Sequence, residues 1–460
     1  MMKTLSCFNA SDIRGVVGDN LTPDIAWQIG KAFGEWMKPG TVVMGRDNRL
    51  SGERLQHALT AGLCSAGVSV LDLGMTGTEE VYFATSALNA GAGIQVTASH
   101  NPANYNGMKI VLRGSLPFGN ENGLGHLAQQ AVLYTPPAVF SGHASPCCQR
   151  DSYIHHILSF ISPDKLKKLT IVVNAGNGMA GQTVDAIERC LSDMGAQATL
   201  IKLNHLPDGR FPKGPPNPLL PENRHETAHA VRINRAHLGV AFDGDFDRCF
   251  LFDENGDAVE NYYLTGLLAE CFLNKHPGAT IVHDPRLIWE TESAVNRAGG
   301  KTVCARAGHA YIKNAMRRHN AVYGGESSGH HYFRDFFFCD SGMIPWLLLW
   351  ELMSVTGEPL SALIRARREA FPCPDELNFR ITSVPQVLEA VYHHYCSQAR
   401  EVDRFDGLSM SFSHWRFNLR ASDTEPLLRL NLETRVDKRL LAEKTAELSG
   451  LIKRAGFCGD

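Results

Sequence analysis

Ser99 stands in the stretch TASHNPANYNGMKIV (97–111), after the apolar Ile94 and Val96 and just before His100, Asn101 and Pro102. Proline lacks an N–H and fixes φ, so Pro102 ends any regular strand. Ser99 is therefore expected on an ordered loop at a strand end, with His100 and, past the turn at Gly107, Lys109 nearby. A hydroxyl beside basic groups and free loop amides is suited to carrying a phosphoryl group. Ser, Asn and Pro are also ordinary turn residues, so this loop alone reads equally well as a polar turn.

Three further loops carry chemistry of their own. DGDFDR (243–248) sets Asp243, Asp245 and Asp247 at alternate positions, which share a face if the chain is extended. Carboxylates forced together repel unless a cation lies among them, and three hard oxygen ligands with room for a phosphate oxygen suit Mg2+. A solvated acidic turn is the plainer reading, and the following CFLFDENG does not continue an EF-hand in register. GGESSGH (324–330) lets the backbone approach a ligand at its glycines, and Glu326 and Ser328 can bracket sugar hydroxyls. Taken alone, that loop reads more readily as a flexible turn before HYFRDF. RASDTEPLLRL (420–430) alternates Arg420, Ser422 and Thr424, a planar fork plus hydroxyls suited to phosphate, or else a polar hairpin. Arg14 in SDIRG, Arg286 in DPRL, and His309 with Lys313 in GHAYIK are further basic candidates, each taken singly more often an ordinary surface charge.

These loops need a scaffold, and a threefold pattern supplies one. TVVMGRDNR, LTIVVNAGNG and ATIVHDPRL each lead into an amphipathic helix, a Gly stop and a second strand (VSVLDL, ATLIKL and TVCARA). Strand, helix and strand in that order make a βαβ unit, which favours a parallel sheet with helices on its faces. The next strand-like run of each unit (GIQV, LGVAF, AVYG) leads into TASHNP, DGDFDR and GESSGH respectively. Open α/β sheets bind ligands beyond the carboxyl ends of their strands, so each unit presents one loop where a ligand belongs. Pro136, Pro137, Ser145 and Pro146 read as a linker, and PCPDEL (372–377) opens a last segment of alternating strands and a helix, a small α+β domain. The expected domains are 1–145, 146–252, 253–370 and 371–460.

Composition bounds what these loops can serve. In 460 residues, about three or four ordinary domains fit. Lys plus Arg number 45 and Asp plus Glu 48, a net charge of −3, which argues against nucleic acid or an anionic membrane as partner. The most apolar window, GMIPWLLLWELMSV (342–355), contains Glu351 and falls short of the roughly 20 residues a span needs, so it reads as a buried helix. The N-terminal residues lack a signal peptide's apolar run. Twelve cysteines without CxxC spacing suggest a reducing cytoplasm.

Taken together, the four loops resemble the α-D-phosphohexomutase superfamily, and within it the bacterial phosphomannomutase/phosphoglucomutase group. TASHNP is similar to that family's phosphoserine loop, DGDFDR to its metal loop, GESSGH to its sugar-recognition loop and RASDTEP to its phosphate-binding loop; SDIRG and GHAYIK match as well. The resemblance spans essentially the whole chain. It implies an α/β fold: three similar α/β domains with mixed, largely parallel sheets, plus a smaller C-terminal α+β domain, around a central cleft. It implies Ser99 as the phosphorylated nucleophile, with Asp243, Asp245 and Asp247 holding Mg2+ against that phosphate. Glu326, Ser328 and His330 would recognise the sugar. Arg420, Ser422 and Thr424 would clamp the phosphate that is not transferred, with Arg248 and Arg286 as further phosphate contacts. Lys109, His309 and Arg14 would serve proton transfer or phosphate contact.

The implied reaction moves a phosphoryl group between O1 and O6 of a hexose phosphate through a hexose 1,6-bisphosphate, which also serves as activator. HHYFRDF after the sugar loop resembles phosphomannomutases that supply GDP-mannose for surface polysaccharide, so mannose phosphate is the expected substrate. A phosphoglucomutase or dual-specificity enzyme is the alternative, and a metal-dependent sugar phosphatase or a non-catalytic sugar-phosphate binder stands further off. His330 replaces the residue usual in the glucosamine branch. Two positions depart from the pattern: Asp423 stands where Asn is usual, and Ser327 where mannose/glucose enzymes often carry Met. A carboxylate facing phosphate repels it, so either Asp423 points away or phosphate affinity falls. The expected setting is a cytoplasmic monomer or weak homo-oligomer.

Overall fold

The computed structural model describes residues 5–9, 11–422 and 427–456. The chain divides into two compact units, one of residues 1–259 with 328–361, the other of residues 260–327 with 362–460.

The first unit holds two sheets and a short antiparallel pair, β15 (His331–Phe333) and β16 (Cys339–Asp340). One contains β1 (Ile13–Val16), β2 (Thr41–Arg46), β3 (Ser69–Met75), β4 (Ala92–Val96), β5 (Tyr105–Leu112), β6 (Leu116–Pro117) and β7 (Ala144–Pro146). Its order is β1-β5-β4-β2-β3-β7, with β6 on β5. The other has the order β11-β10-β8-β9, from β8 (Thr170–Asn174), β9 (Thr199–Leu203), β10 (Leu238–Phe242) and β11 (Cys249–Phe252). In both, the first strand of the βαβ unit lies between its second strand and the strand that leads into the functional loop, all parallel. The second unit repeats this with β12 (Thr280–His283) flanked by β13 (Lys301–Cys304) and β14 (Tyr323–Gly325). The threefold pattern of the sequence is thus a threefold strand order, 4-2-3, 10-8-9 and 14-12-13.

Ser145 and Pro146, read above as linker, instead form the edge strand β7 against β3. Proline is compatible with an edge, where no ladder bond need be donated on the open side. The hydrophobic helix expected at 342–355 is Met343–Thr356, with Trp346, Leu347 and Leu349 buried. Among the described residues no single helix is long and apolar enough to cross a membrane.

The second unit ends in an antiparallel sheet of β17 (Leu377–Phe379), β18 (Glu401–Asp403), β19 (Leu408–Ser411), β20 (Trp415–Ala421) and β21 (Leu428–Thr434). The alternation in WRFNLRA and LRLNLET sets Phe417, Leu419, Leu428, Leu430 and Leu432 into one core with Val387, Leu448 and Ile452 of two helices. This is the α+β segment expected from the sequence.

In the first unit, α1 (Pro23–Met37) and α2 (Gly52–Ser65) meet backbone to backbone. A Cβ on Gly62 would lie 2.2 Å from the Trp27 carbonyl oxygen, and one on Gly30 would lie 2.4 Å from that of Leu59. Alanine favours a helix over glycine by about 1 kcal/mol. Forcing the two backbones apart costs about 1–3 kcal/mol, so the contact decides the sign. We expect Gly62→Ala to lower the urea unfolding midpoint; a raised midpoint would show that the helices separate without cost.

Candidate active site

Ser99 lies three residues past β4 and Asp243 directly follows β10, so both loops leave the carboxyl ends of parallel strands. The Ser99 backbone has φ +50°, left-handed, where a non-glycine residue needs support from its surroundings. Arg49 supplies that support. Its guanidinium donates to four main-chain oxygens of the loop: Ser99 (2.9 Å), Asn101 (2.7 Å), Pro102 (2.6 Å) and Tyr105 (2.9 Å). Asp47 accepts from Arg49 Nε at 3.1 Å and from Thr97 Oγ1 at 2.7 Å, and Thr97 Oγ1 in turn accepts the Ser99 N–H at 2.8 Å. Arg14 adds a brace, its Nη1 donating to Asn101 Oδ1 at 2.6 Å.

Asp243, Asp245 and Asp247 are buried, and one oxygen from each lies within 4.8 Å of the others. They converge by a different route from the extended alternation expected. The loop turns tightly, with the Phe246 N–H donating to the Asp243 carbonyl and Phe246 itself left-handed at φ +50°. Gly244 permits the approach of the two loops, since a Cβ there would sit 2.5 Å from the Ser99 carbonyl oxygen.

The hydroxyl of Ser99 donates to Asp243 Oδ2 at 2.9 Å. Arg248 binds that oxygen through Nε (2.9 Å) and reaches His100 Nδ1 through Nη2 at 2.6 Å. A guanidinium only donates, so His100 Nδ1 is the acceptor and the ring is neutral, its proton on Nε2. Burial, then the charges of Arg248 and Arg14, hold this imidazole well below its ordinary pKa. Lys109 Nζ donates to Asp245 Oδ2 at 2.7 Å and also to Asp247 Oδ2. Burial opposes its charge, but the three carboxylates outweigh burial and hold it as ammonium. Burial pushes the Asp243 carboxyl up to about 7, against the pull of Arg248 and with Asp247 and Asp245 adding to the rise. Asp245 Oδ1 is buried with no hydrogen-bond partner among the described residues. An orphaned buried carboxylate oxygen beside two neighbours is the donor set a hard divalent cation takes, so the residues fit a metal.

The loop GGESSGH is divided between the two units. Ser328 and His330 belong with the acid cluster. His330 Nδ1 lies 2.9 Å from Ser328 Oγ, and its Nε2 lies 3.8 Å from Asp247 and 3.7 Å from Asp340. Glu326 belongs with the second unit. There Arg286 donates to Glu326 Oε1 at 2.8 Å and to Asp284 Oδ2 at 2.9 Å, and Ser327 N–H donates to Asp284 Oδ2 at 2.7 Å. Gly308 N–H also reaches Glu326 Oε1 at 3.2 Å, which brings the start of helix His309–His319, and so His309, to this group. Arg420, at the end of β20, is buried with its Nε lacking a partner among the described residues. Burial and the charge of Arg286 lower its pKa, against the pull of Glu376, Asp406 and Asp284. Ser422 follows it, its N–H donating to the Leu427 carbonyl at 2.8 Å. Asp423 and Thr424 lie outside the described residues.

Arg49, Asp47, Asp284 and Asp340 were not singled out from the sequence. A signal for two pairs was present in the repeat: Asp47-Asn48-Arg49 and Asp284-Pro285-Arg286 hold equivalent places after β2 and β12. In both, the aspartate accepts the arginine's own N–H (3.0 and 2.8 Å) and its Nε (3.1 and 3.0 Å).

Known proteins share this arrangement along the whole chain. Residues 6–125, 151–256 and 260–371 match alpha/beta/alpha domains I, II and III of phosphoglucomutase/phosphomannomutase. A phosphomannomutase of Salmonella montevideo is 53% identical over 454 residues, covering 98% of this chain and 100% of the relative. A protein of Xanthomonas campestris pv. campestris named for phosphohexose mutases is 49% identical over 453 residues, with 98% and 100% covered. A crystal structure of a phosphoglucomutase/phosphomannomutase family protein from Burkholderia thailandensis superposes with a TM-score of 0.87 at 32% identity, covering 100% of this chain and 99% of its own. Three domain matches in sequence order, and half-identical relatives of the same length, account for the repeated strand order and for the loops at its ends: the chain belongs to the phosphoglucomutase/phosphomannomutase family and is a phosphohexomutase, an enzyme of the isomerase type.

Proposed function

We propose that this enzyme interconverts mannose 6-phosphate and mannose 1-phosphate through a phosphoserine at Ser99 and a hexose 1,6-bisphosphate. The observation that carries the reading is the Ser99 hydroxyl, held on a left-handed backbone and bonded at 2.9 Å to the first aspartate of the buried acidic triad. We assign Mg2+ to that triad, Asp243, Asp245 and Asp247. When bound, the cation neutralises charge on the phosphoryl oxygens, which is most of what catalysis of this transfer requires.

The chain's own groups do the rest. The bond from phosphorus to Ser99 Oγ breaks as one forms to the free sugar hydroxyl, whose proton passes to a basic side chain, and the departing Ser99 oxygen takes up one proton to become the free hydroxyl, so a phosphoryl group is exchanged for a proton. The second transfer reverses this at the other end of the sugar and restores the phosphoserine; a trace of hexose 1,6-bisphosphate primes enzyme that has lost it. Lys109 stays an ammonium between two carboxylates, so its part is to offset phosphoryl charge. Arg248 and Arg14 share that part, and His309 is assigned the proton. Glu326, Ser328 and His330 read the sugar hydroxyls, and Arg420, Ser422 and Thr424, with Arg286, hold the phosphate that is not in transfer. Arg420's lack of a partner at Nε supports this, because a buried guanidinium with a free donor favours an anion. The domain limits 1–145, 146–252, 253–370 and 371–460 are proposed with these roles. The near-even charge supports the absence of a nucleic-acid or membrane partner and the dispersed thiols a cytoplasmic setting, with a monomer or weak homo-oligomer proposed alongside.

Ser99→Ala is expected to abolish mutase turnover and to remove the phosphorylated fraction seen by intact mass; near-normal turnover would overturn the mechanism. Turnover compared on mannose 1-phosphate and glucose 1-phosphate, each with bisphosphate present, is expected to favour mannose. Equal rates would make the enzyme dual-specific, and release of inorganic phosphate would make it a phosphatase. Arg420→Gln is expected to raise KM for the hexose phosphate about 10- to 100-fold, the worth of a hydrogen bond to a charged group. An unchanged KM would free Arg420 of the phosphate role.

A further inference from the structure

The first turn of α3 (Thr78–Ala87) touches the acidic loop at three points. Thr78 is buried, and its hydroxyl donates to Asp245 Oδ2. Its N–H donates to the Asp245 carbonyl at 3.1 Å. Gly77 leaves room for the Phe246 ring, since a Cβ there would fall 2.1 Å from it. The residues in contact are 167 apart in sequence.

The consequence lies in how the two oxygens of Asp245 are used. Oδ2 accepts from both Thr78 Oγ1 and Lys109 Nζ. Oδ1 is the buried atom without a partner among the described residues. A carboxylate can rotate, and without Thr78 either oxygen could be offered to Lys109 or to a cation. We propose that Thr78 is a positioning residue for the metal: its hydroxyl commits Oδ2 to protein donors and so presents Oδ1 as the ligand atom. Outer groups that orient a ligating carboxylate affect metal affinity by about 10- to 100-fold. Thr78 touches neither sugar nor phosphate in this scheme and acts only through Asp245. The inference rests on the reading that the acidic triad holds a divalent cation.

Mn2+ and Mg2+ titrated calorimetrically into the full-length enzyme and into Thr78→Val, Thr78→Ala and Thr78→Ser test it. Both hydroxyl-free variants are expected to bind about 10- to 100-fold more weakly, while Thr78→Ser, which keeps the donor, binds as the parent does. Thr78→Val preserves shape and Thr78→Ala avoids any clash, so one folded hydroxyl-free variant suffices. Parent-like affinity in a folded Val or Ala variant overturns the role of Thr78 alone. A Thr78→Ser affinity as weak as that of Ala also overturns it, since packing and not the hydroxyl would then matter. A parent that binds neither ion overturns the metal reading together with this one.

Discussion

Three carboxylates buried within a few ångströms of one another are the constraint around which the first unit is arranged. Such a group cannot persist without compensating charge and donors, because burial removes the water that would otherwise screen it. Each aspartate has a donor, and Lys109 is shared: Asp243 is matched by Arg248 and the Ser99 hydroxyl, Asp245 by Lys109 and Thr78, Asp247 by the same Lys109. The compensation draws on β5, the loop after β4, α3 and the acidic loop itself. Those elements must therefore hold register with one another for the charge to balance. Gly77 and Gly244 show the same demand in steric form, since a side chain at either would strike the neighbouring loop.

The second unit buries guanidiniums and answers them with carboxylates and main-chain oxygens. Arg286 is matched by Asp284 and Glu326, and Arg416 by Glu433 and by the carbonyls of Arg286 and Pro285. Among the described residues, Arg420 Nε has no partner. The first unit thus holds a buried carboxylate oxygen, and the second a buried guanidinium nitrogen, without a partner among the described residues. On the proposed reading a cation and a phosphate would complete them.

Much of this was legible from residue order. The βαβ repeats are carried by local signals, a β-rich run, a helix and a Gly stop, and the sheets follow them strand for strand. The four loops stood out because serine, aspartate, glycine and arginine gather at strand ends. Less legible was how the loops are built. Alternating aspartates suggested an extended segment, whereas a left-handed Phe246 makes the turn. Ser145 and Pro146 read as linker because a proline near an edge strand looks like one in a loop. Arg49 and Thr78 were invisible for a different reason. Their partners lie 50 to 56 and 167 residues away, and no local pattern announces a contact at that range. Only the repeat, by setting Asp47-Asn48-Arg49 against Asp284-Pro285-Arg286, held a trace of it.

The hold of Arg49 on the serine loop has one more implication. It meets oxygens that every amino acid carries, so it is blind to which side chains occupy residues 100 to 104. The side chains of His100 and Asn101 are held separately, by Arg248 and Arg14, so only at residues 103 and 104 does the loop keep its curvature without regard to the side chain. Lysine, with a single ammonium in place of a flat fork, has no comparable way to span four carbonyls. Tolerance at residues 103 and 104 is thus bought with intolerance at Arg49.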